Sequence, residues 1–231
     1  MVATNYQVDI SLHSDTVSLL IDGGYFLYTM FAIEMTNGTA RPTIWSRTQN
    51  IMGKMTVEWP AAVSAYTSSS NIASGRTIRI GYETKVSNGQ IFEVTAGGGG
   101  RVKIDGAKLQ ITVTNTTNTQ FTSGFARPYA EEFIPIYAVP LYGNQTNVAS
   151  VSPQILLLFT TKRLEPGTVV ENFVQKPAIQ AAYSPSLLVN VTDRETRQVA
   201  YDINTGWSWG DYSWAQIIPT NANLVKLLIK S

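Results

Sequence analysis

The chain has 231 residues, of which 44% are apolar and only 14% are charged, well below the usual quarter. Thr, Ser and Asn, which favour strands and turns, take the place of the missing charged residues. The formal net charge of +1 leaves no electrostatic case for a nucleic-acid partner, which requires a basic face. A low net charge also weakens self-repulsion, so we expect ordered self-association, as a homo-oligomer or a larger assembly.

Several classes of site are excluded by residues that the chain lacks. It has no cysteine, so neither disulfides nor thiolate metal sites can form, and His13 is its only histidine. The first residues, MVATNYQVDISLH, lack the basic and apolar regions of a secretory signal, so we expect a cytoplasmic or non-classically released protein. Apolar runs such as 155–159 are too short for a transmembrane helix. The sequence predicts no cofactor, no metal and no transmembrane helix.

Apolar and polar residues alternate with period two along the first half, which predicts strands. The predicted strands lie at 6–12, 16–21, 25–35, 54–59, 76–82 and 91–94, with turns at Asp22-Gly-Gly24, Asn37-Gly38 and Asn88-Gly89. Residues 101–104 and 109–113 are predicted as two strands of one hairpin around Asp105-Gly106. A helical turn is predicted within 45–52.

The same alternation continues through the second half. Strands are predicted at 121–125, 133–139, 154–161, 168–173, 186–191, 198–203, 215–218 and 224–229, with a second helical turn within 220–228. Residues 141–153 break the pattern and indicate either a domain boundary or, as we favour, a long loop between two sheets. We therefore predict a single domain over 1–231, an all-β, antiparallel sandwich of two packed sheets, without a helix longer than about three turns.

The aromatic segment 206–214, GWSWGDYSW, is the strongest candidate for a binding site. It holds three of the five tryptophans within eight residues, interleaved with Gly and Ser. On a strand Trp207 and Trp209 share one face, and small neighbours leave the rings uncovered. Flat indoles beside an acceptor suit sugar faces or a membrane interface, and the alternatives are that the rings close the end of the core or form a protein interface. The predicted ligand-binding residues are Trp207, Trp209, Asp211, Tyr212 and Trp214.

Three further patterns have plainer interpretations. The carboxylates Asp193 and Glu195, or Glu131 and Glu132, suggest a two-acid glycoside hydrolase, but their positions in and before turns are typical of solvated charges. The Ser-, Thr- and Gly-rich segment 64–121 resembles the membrane hairpin of β-pore-forming toxins, although ordinary hairpins explain it better. Residues 97–100, GGGG, lack the helix that a phosphate loop opens and indicate a hairpin end.

Four segments in the last third occur in an order that resembles a known group of proteins. They are LLLF (156–159), EPGTVV (165–170), LVNVTD (188–193) and YDINTGW (201–207). Together they resemble a loosely defined group of uncharacterised, cysteine-poor, β-rich proteins of filamentous fungi. The resemblance implies a β-sandwich and no established chemistry.

These observations favour a protein that acts by binding or assembly and not by catalysis. We expect a lectin-like or surface-binding protein whose partner is a carbohydrate or cell-surface ligand. A soluble β-pore-forming toxin is the second hypothesis, and a β-sandwich glycoside hydrolase is the third. His13, without a partner motif, is expected to be dispensable.

Overall fold

The computed structural model describes residues 5–36, 39–172, 185–192, 195–210 and 212–230. Strands dominate these residues, which confirms the predicted all-β, sandwich-like fold. The strands of the first half are β1 (Asn5–Leu12), β2 (Phe26–Met35), β3 (Arg41–Pro42), β4 (Ser46–Thr48), β5 (Lys54–Pro60), β6 (Val63–Ser68), β7 (Tyr82–Val86), β8 (Ile91–Val94), β9 (Gly100–Lys103) and β10 (Ile111–Asn115). Those of the second half are β11 (Phe121–Tyr129), β12 (Glu132–Pro135), β13 (Tyr137–Leu141), β14 (Thr146–Thr160), β15 (Ser186–Asn190), β16 (Arg197–Asp202), β17 (Gly206–Ser208), β18 (Ala215–Ile218) and β19 (Ile229–Lys230).

The strands form three sheets. The first has the order β17-β16-β1-β5, and the third has the order β3-β13-β11-β6-β7 with β12 beside β11. The second follows the path β18-β15-β14-β10-β8-β9 and adds β2, β4 and β19. Most pairs are antiparallel, but β1 with β16, β8 with β10, and β2 with β19 run parallel. The first and second sheets are therefore mixed, whereas the strand pairs of the third are all antiparallel, and the described residues form one sheet more than the two that we predicted.

Strand β14 organises the second sheet because it pairs along both of its edges. One edge pairs with β2 over most of its length, with a register shift between Val151 and Ile155. The other edge is divided between β10, opposite residues 146–149, and β15, opposite residues 154–157. The predicted long loop at 141–153 is thus a short turn followed by the first half of this strand. The assignment of 1–231 to one domain stays a prediction.

One buried apolar cluster joins all three sheets. It contains Val8 of β1, Phe31 of β2, Trp59 of β5, Phe125 of β11 and Leu157 of β14. Burial of such large side chains is the main driving force for packing sheets face to face. The apolar alternation that predicted the strands supplies this shared core.

The predicted strand at 16–21 is wrong, because this segment is the α-helix α1 (Ser14–Asp22). Thr16 and Leu20, four residues apart, are its buried positions, whereas Leu19 and Ile21 are exposed. The exposed apolar side chains hid the helical period in the sequence. The turn predicted at Asp22-Gly-Gly24 is consequently the end of this helix, capped by Gly23.

The predicted hairpin of 101–104 and 109–113 is also wrong. Strand β8 lies between β9 and β10, antiparallel to β9 and parallel to β10. The strands predicted at 76–82 and 168–173 do not form as strands in the described residues. Their Thr77 and Thr168 face each other in an isolated bridge, and only Tyr82 belongs to a strand, as the first residue of β7. The turn at 37–38 and residue 173 lie outside the described residues.

Helix is a minor component of the described residues. The helical turn predicted within 220–228 is confirmed as α2 (Leu224–Leu228), so the strand predicted at 224–229 is wrong except at Ile229, which begins β19. Residues 45–52 contain strand β4 instead of the predicted helical turn. The longest helix is the nine-residue α1, about two and a half turns, as predicted. None of these helices has the length and apolar character needed to cross a membrane.

Candidate functional site

The aromatic segment 206–214 runs from β17 to the start of β18. Strand β17 pairs with β16, which sets Trp207 opposite Tyr201. Gly206 and Gly210 both adopt positive φ angles, where glycine is favoured, so the chain turns sharply on either side of Trp209. The strand begins at Gly206 and ends at Ser208, so Trp209 lies outside it, and Trp207 and Trp209 do not share a strand face as predicted.

Trp207 belongs to the core. Its side chain is 6% exposed and packs against the rings of Phe159 and Tyr201, at centroid distances of 5.6 and 4.8 Å. Its Nε1 donates a 2.9 Å hydrogen bond to the carbonyl oxygen of Pro185, which satisfies the buried indole N–H. The interpretation of these rings as an exposed platform therefore does not apply to Trp207.

Trp209 fixes the shape of the following loop. Its Nε1 donates a 2.7 Å hydrogen bond to the carbonyl oxygen of Tyr212, and its partly buried ring packs against the core cluster. The Tyr212 ring lies over Gly210, where a Cβ would come within 3.0 Å of Tyr212 Cε2. A side chain at position 210 would thus displace this ring. Asp211 lies outside the described residues.

Tyr212 and Trp214 form the exposed part of the segment. Their rings are near-parallel, with centroids 6.2 Å apart and planes inclined by 18°. Tyr212 is 63% exposed, whereas Trp214 is half-buried and packs against the core cluster. The guanidinium carbon of Arg197 lies 5.0 Å from the centroid of the Trp214 ring, a cation–π contact. Of the five predicted residues, Tyr212 and Trp214 therefore lie together, and beside them lies Arg197, which the sequence did not predict.

Arg197 is held in place from two further directions. Its Nε donates a 3.1 Å hydrogen bond to the carbonyl oxygen of Asn190, and its Nη1 lies 2.9 Å from Glu195 Oε2. The backbone N–H of Asn190 donates in turn to the carbonyl oxygen of Trp214, at 2.7 Å. Contacts from Asn190 at the end of β15 and from Glu195 just before β16 thus position Arg197 beside the two rings. We call the surface formed by Tyr212, Trp214, Arg197 and Glu195 the ring face.

The other sequence candidates occupy different places. His13 caps α1 by accepting a 3.4 Å hydrogen bond at Nδ1 from the backbone N–H of Asp15. Glu131 and Glu132 line an open cavity of about 540 Å³ together with Glu83. Burial raises the pKa of Glu83, whose Oε2 has no hydrogen-bond partner within the described part of the chain. Asp193, the proposed partner of Glu195, lies outside the described residues.

Two glycine-rich or threonine-rich segments also have defined positions. Gly97–Gly100 connects β8 to β9, as the predicted hairpin end, and Gly98 is buried against Phe121 and Thr67. The segment 64–121 is divided between two sheets, with β6 fully buried in the third and β8 to β10 in the second. It is therefore not a single hairpin in this structure.

A second concave site, not predicted from the sequence, surrounds Arg127 on β11. This cavity has a volume of about 400 Å³. The Arg127 side chain is 3% exposed, yet no carboxylate in the described residues pairs with it. Its Nη1 donates to the carbonyl oxygen of Pro60, while its Nε has no hydrogen-bond partner among the described residues. Burial lowers the pKa of Arg127 to about 10, so the guanidinium is still protonated at neutral pH.

Aromatic rings form the wall of this cavity, which we call the arginine cavity. The guanidinium carbon lies 4.6 Å from the centroid of Phe31, and Phe31 meets Trp59 edge-to-face at 5.3 Å. Tyr6 is near-parallel to Trp59, at 5.8 Å and 19°. The sequence signal that could have indicated this site is one charged residue within the otherwise uncharged strand β11. Such a residue is rarely buried unless it is paired.

The described residues contain no group of three or more His, Asp or Glu side chains arranged to hold a metal ion. Comparison with known proteins finds no relative: no family model, no curated protein and no solved structure matches the chain. The resemblance of the last third to fungal β-rich proteins stays a hypothesis. The two sites must accordingly be interpreted from their own geometry.

Proposed function

We propose that the protein is a non-catalytic, lectin-like binding protein that holds a carbohydrate ligand at the ring face. The observation that carries the proposal is the near-parallel pair of exposed Tyr212 and half-buried Trp214 beside the Arg197–Glu195 ion pair. Exposed aromatic rings bury large areas at low cost in side-chain entropy, which suits recognition of a flat partner. A sugar ring offers such a flat C–H face.

The Arg197–Glu195 pair supplies charged hydrogen-bond donors and acceptors, which the aromatic faces lack. Sugar hydroxyl groups both donate and accept hydrogen bonds, so they require partners of both kinds. The carboxylate of Glu195 is an exposed acceptor, and the guanidinium of Arg197 is a donor beside the Trp214 ring. Because Arg197 is fixed by Asn190 and Glu195, little ordering is needed when a ligand binds.

Screening of the purified protein on a glycan array tests this proposal, followed by titration calorimetry with the best glycan. Tyr212→Ala is expected to reduce affinity at least tenfold, because it removes the most exposed ring of the face. Tyr142→Ala is the matched control, since Tyr142 is 52% exposed and lies on the turn between β13 and β14. We expect its affinity to equal that of the wild-type protein.

The proposal fails if no glycan binds, or if both tyrosine variants lose affinity equally. Tyr212→Phe distinguishes the ring from its hydroxyl group. A stacking role predicts that this variant keeps most of the affinity, since the flat face remains.

Self-assembly is a second candidate function, supported by a different observation. Ile104 and Leu109, on the segment between β9 and β10, are 86% and 79% exposed. Ile104 directly follows β9, an edge strand of the second sheet whose only strand partner in the described residues is β8, and Leu109 lies further along the same segment, shortly before β10. An exposed strand edge with apolar neighbours favours pairing with another chain, and we propose that a second copy of this protein occupies it.

A further inference from the structure

We propose that the arginine cavity is a binding site for a small carboxylate that carries a flat apolar group. The proposal is independent of the ring face, because it rests on the unpaired, buried guanidinium of Arg127. The site has three parts: a cation at the wall, aromatic and aliphatic surfaces around it, and an opening to solvent.

The charge of Arg127 requires compensation. Moving an ion out of water costs several kcal/mol unless an opposite charge or a full set of hydrogen bonds replaces the water. Here the described surroundings supply one carbonyl acceptor, from Pro60, and one ring face, from Phe31. Among the described residues that line the cavity none is acidic, and Arg127 is the only charged one. The described lining therefore provides a positive site without a counter-charge.

The contacts of Arg127 indicate the geometry of the missing anion. Because Nη1 is engaged by Pro60, the edge that carries Nε remains for an acceptor. A guanidinium edge presents two parallel N–H groups, which match the two oxygens of a carboxylate. A phosphate dianion fits less well, since the described residues of the lining include no second cation to balance its additional charge.

The remaining walls indicate the rest of the ligand. Trp59 is buried and Tyr6 is half-buried, and their near-parallel rings offer a flat surface, while Val63, Val86 and Ile111 add aliphatic surface. A volume of about 400 Å³ lies within the range of small-molecule sites. An aromatic carboxylate of one or two fused rings satisfies both the charge and the apolar walls.

The cavity is accessible from solvent at one end. Ala61 and Ala62, in the turn between β5 and β6, are exposed and line it. Ser87 and Asn88, in the turn between β7 and β8, are likewise exposed and line it. A ligand can therefore enter between these two turns, with its carboxylate leading toward Arg127.

Titration calorimetry with naphthalene-2-carboxylate and with naphthalene-2-carboxamide tests the proposal on the wild-type protein. The two probes have nearly the same shape, but only the first is an anion. We expect one carboxylate to bind per chain, at least tenfold more tightly than the carboxamide. Equal affinities, or no binding of the carboxylate at millimolar concentration, would overturn the proposal without any variant being required.

Substitution of Arg127 tests whether the preference for the carboxylate depends on this side chain. Arg127→Met removes the charge at similar volume and is expected to lower the affinity for the carboxylate at least tenfold, to that for the carboxamide. Arg163→Met is the matched control, because Arg163 is largely exposed and lies outside the cavity lining, and its binding should equal that of the wild-type protein. A carboxylate preference that survives in Arg127→Met would show that the anion binds elsewhere.

Discussion

The guanidinium carbon of Arg127 lies 4.6 Å from the centre of the Phe31 ring, and both side chains are almost fully buried. This contact offsets part of the cost of burying the cation, since buried cation–π contacts contribute about 2 kcal/mol. It does not replace a carboxylate. Burial of the Arg127 cation therefore opposes stability, whereas the same cation is the group that we propose to bind the ligand.

Arg127→Met is expected to leave the free energy of unfolding unchanged or to raise it by about 1 kcal/mol, because buried charges are often less favourable than apolar side chains of similar volume. Urea denaturation in the absence of ligand measures this change. A loss of more than about 2 kcal/mol would instead assign Arg127 a mainly structural role, through Pro60 and Phe31.

Trp207→Ala and Tyr212→Ala should separate the core from the ring face. Truncating buried Trp207 leaves a cavity against Phe159 and Tyr201, and we expect it to cost about 3–5 kcal/mol. Truncating exposed Tyr212 should change stability by less than about 1 kcal/mol. Denaturant titration of both variants measures the difference, and equal destabilisation would contradict the separation.

Alanine substitutions at Gly124 and Gly53 compare a glycine that has no room for a side chain with one that has. A Cβ at Gly124 would lie 2.2 Å from the Tyr137 carbonyl oxygen and 2.9 Å from Tyr66 Cε1, whereas at Gly53 its nearest contact would be an ordinary 3.5 Å. Gly124→Ala is therefore expected to cost about 3 kcal/mol, through displacement of β13 from β11. Gly53→Ala should be close to neutral in the same thermal or urea unfolding measurement.

Glu83→Gln should remove a pH-dependent contribution that Glu83 makes to the stability of the wild-type protein. Burial raises the pKa of Glu83 in the folded state, so its ionised form opposes folding above that pKa. At pH 7 we expect Glu83→Gln to be more stable than the wild-type protein. The difference should shrink as pH falls through the raised folded-state pKa, and vanish below the unfolded value of about 4.3.

Urea midpoints of the two proteins, measured from pH 7 to pH 3.5, provide the check. Glu131→Gln is the control for net charge, because Glu131 lines the same cavity but is exposed. An advantage of Glu83→Gln that persists unchanged at pH 3.5 would contradict the assignment to ionisation.

Ile104→Ser combined with Leu109→Ser tests self-assembly at β9. Both side chains are exposed, so the double variant should unfold within about 1 kcal/mol of the wild-type protein. Light scattering after size-exclusion chromatography is expected to show smaller particles than the wild-type protein forms. Identical particle sizes, or a monomeric wild-type protein, would refute assembly through this segment.

The period-two alternation of apolar and polar residues predicted strands correctly wherever one face of a strand is buried and the other is exposed to solvent. Strand β5 shows why, since Met55, Val57 and Trp59 are buried while the residues between them are exposed. The same rule failed at α1, where exposed Leu19 and Ile21 obscured the helical spacing of Thr16 and Leu20. It also failed for β9 and β10, because their placement on either side of β8 depends on pairing between distant segments.

The two sites differ in how much of them was predictable. Tyr212 and Trp214 could be nominated because an aromatic-rich, Gly- and Ser-spaced segment is visible in the sequence, whereas burial of Trp207 depends on Phe159 and Tyr201 from other strands. Arg197 was missed because it joins the ring face through packing. The arginine cavity was missed entirely, since its walls come from β1, β2, β5 and β11.

The position of β1 in the first sheet bears on how the chain folds during synthesis. Val8 pairs with Arg197 and Leu12 with Tyr201, so β1 remains without one of its two neighbours until residues 197–201 have left the ribosome. Sequence-distant contacts of this kind slow folding, because a long loop must close before they form. Until then, the free edge of β1 is available to other nascent chains.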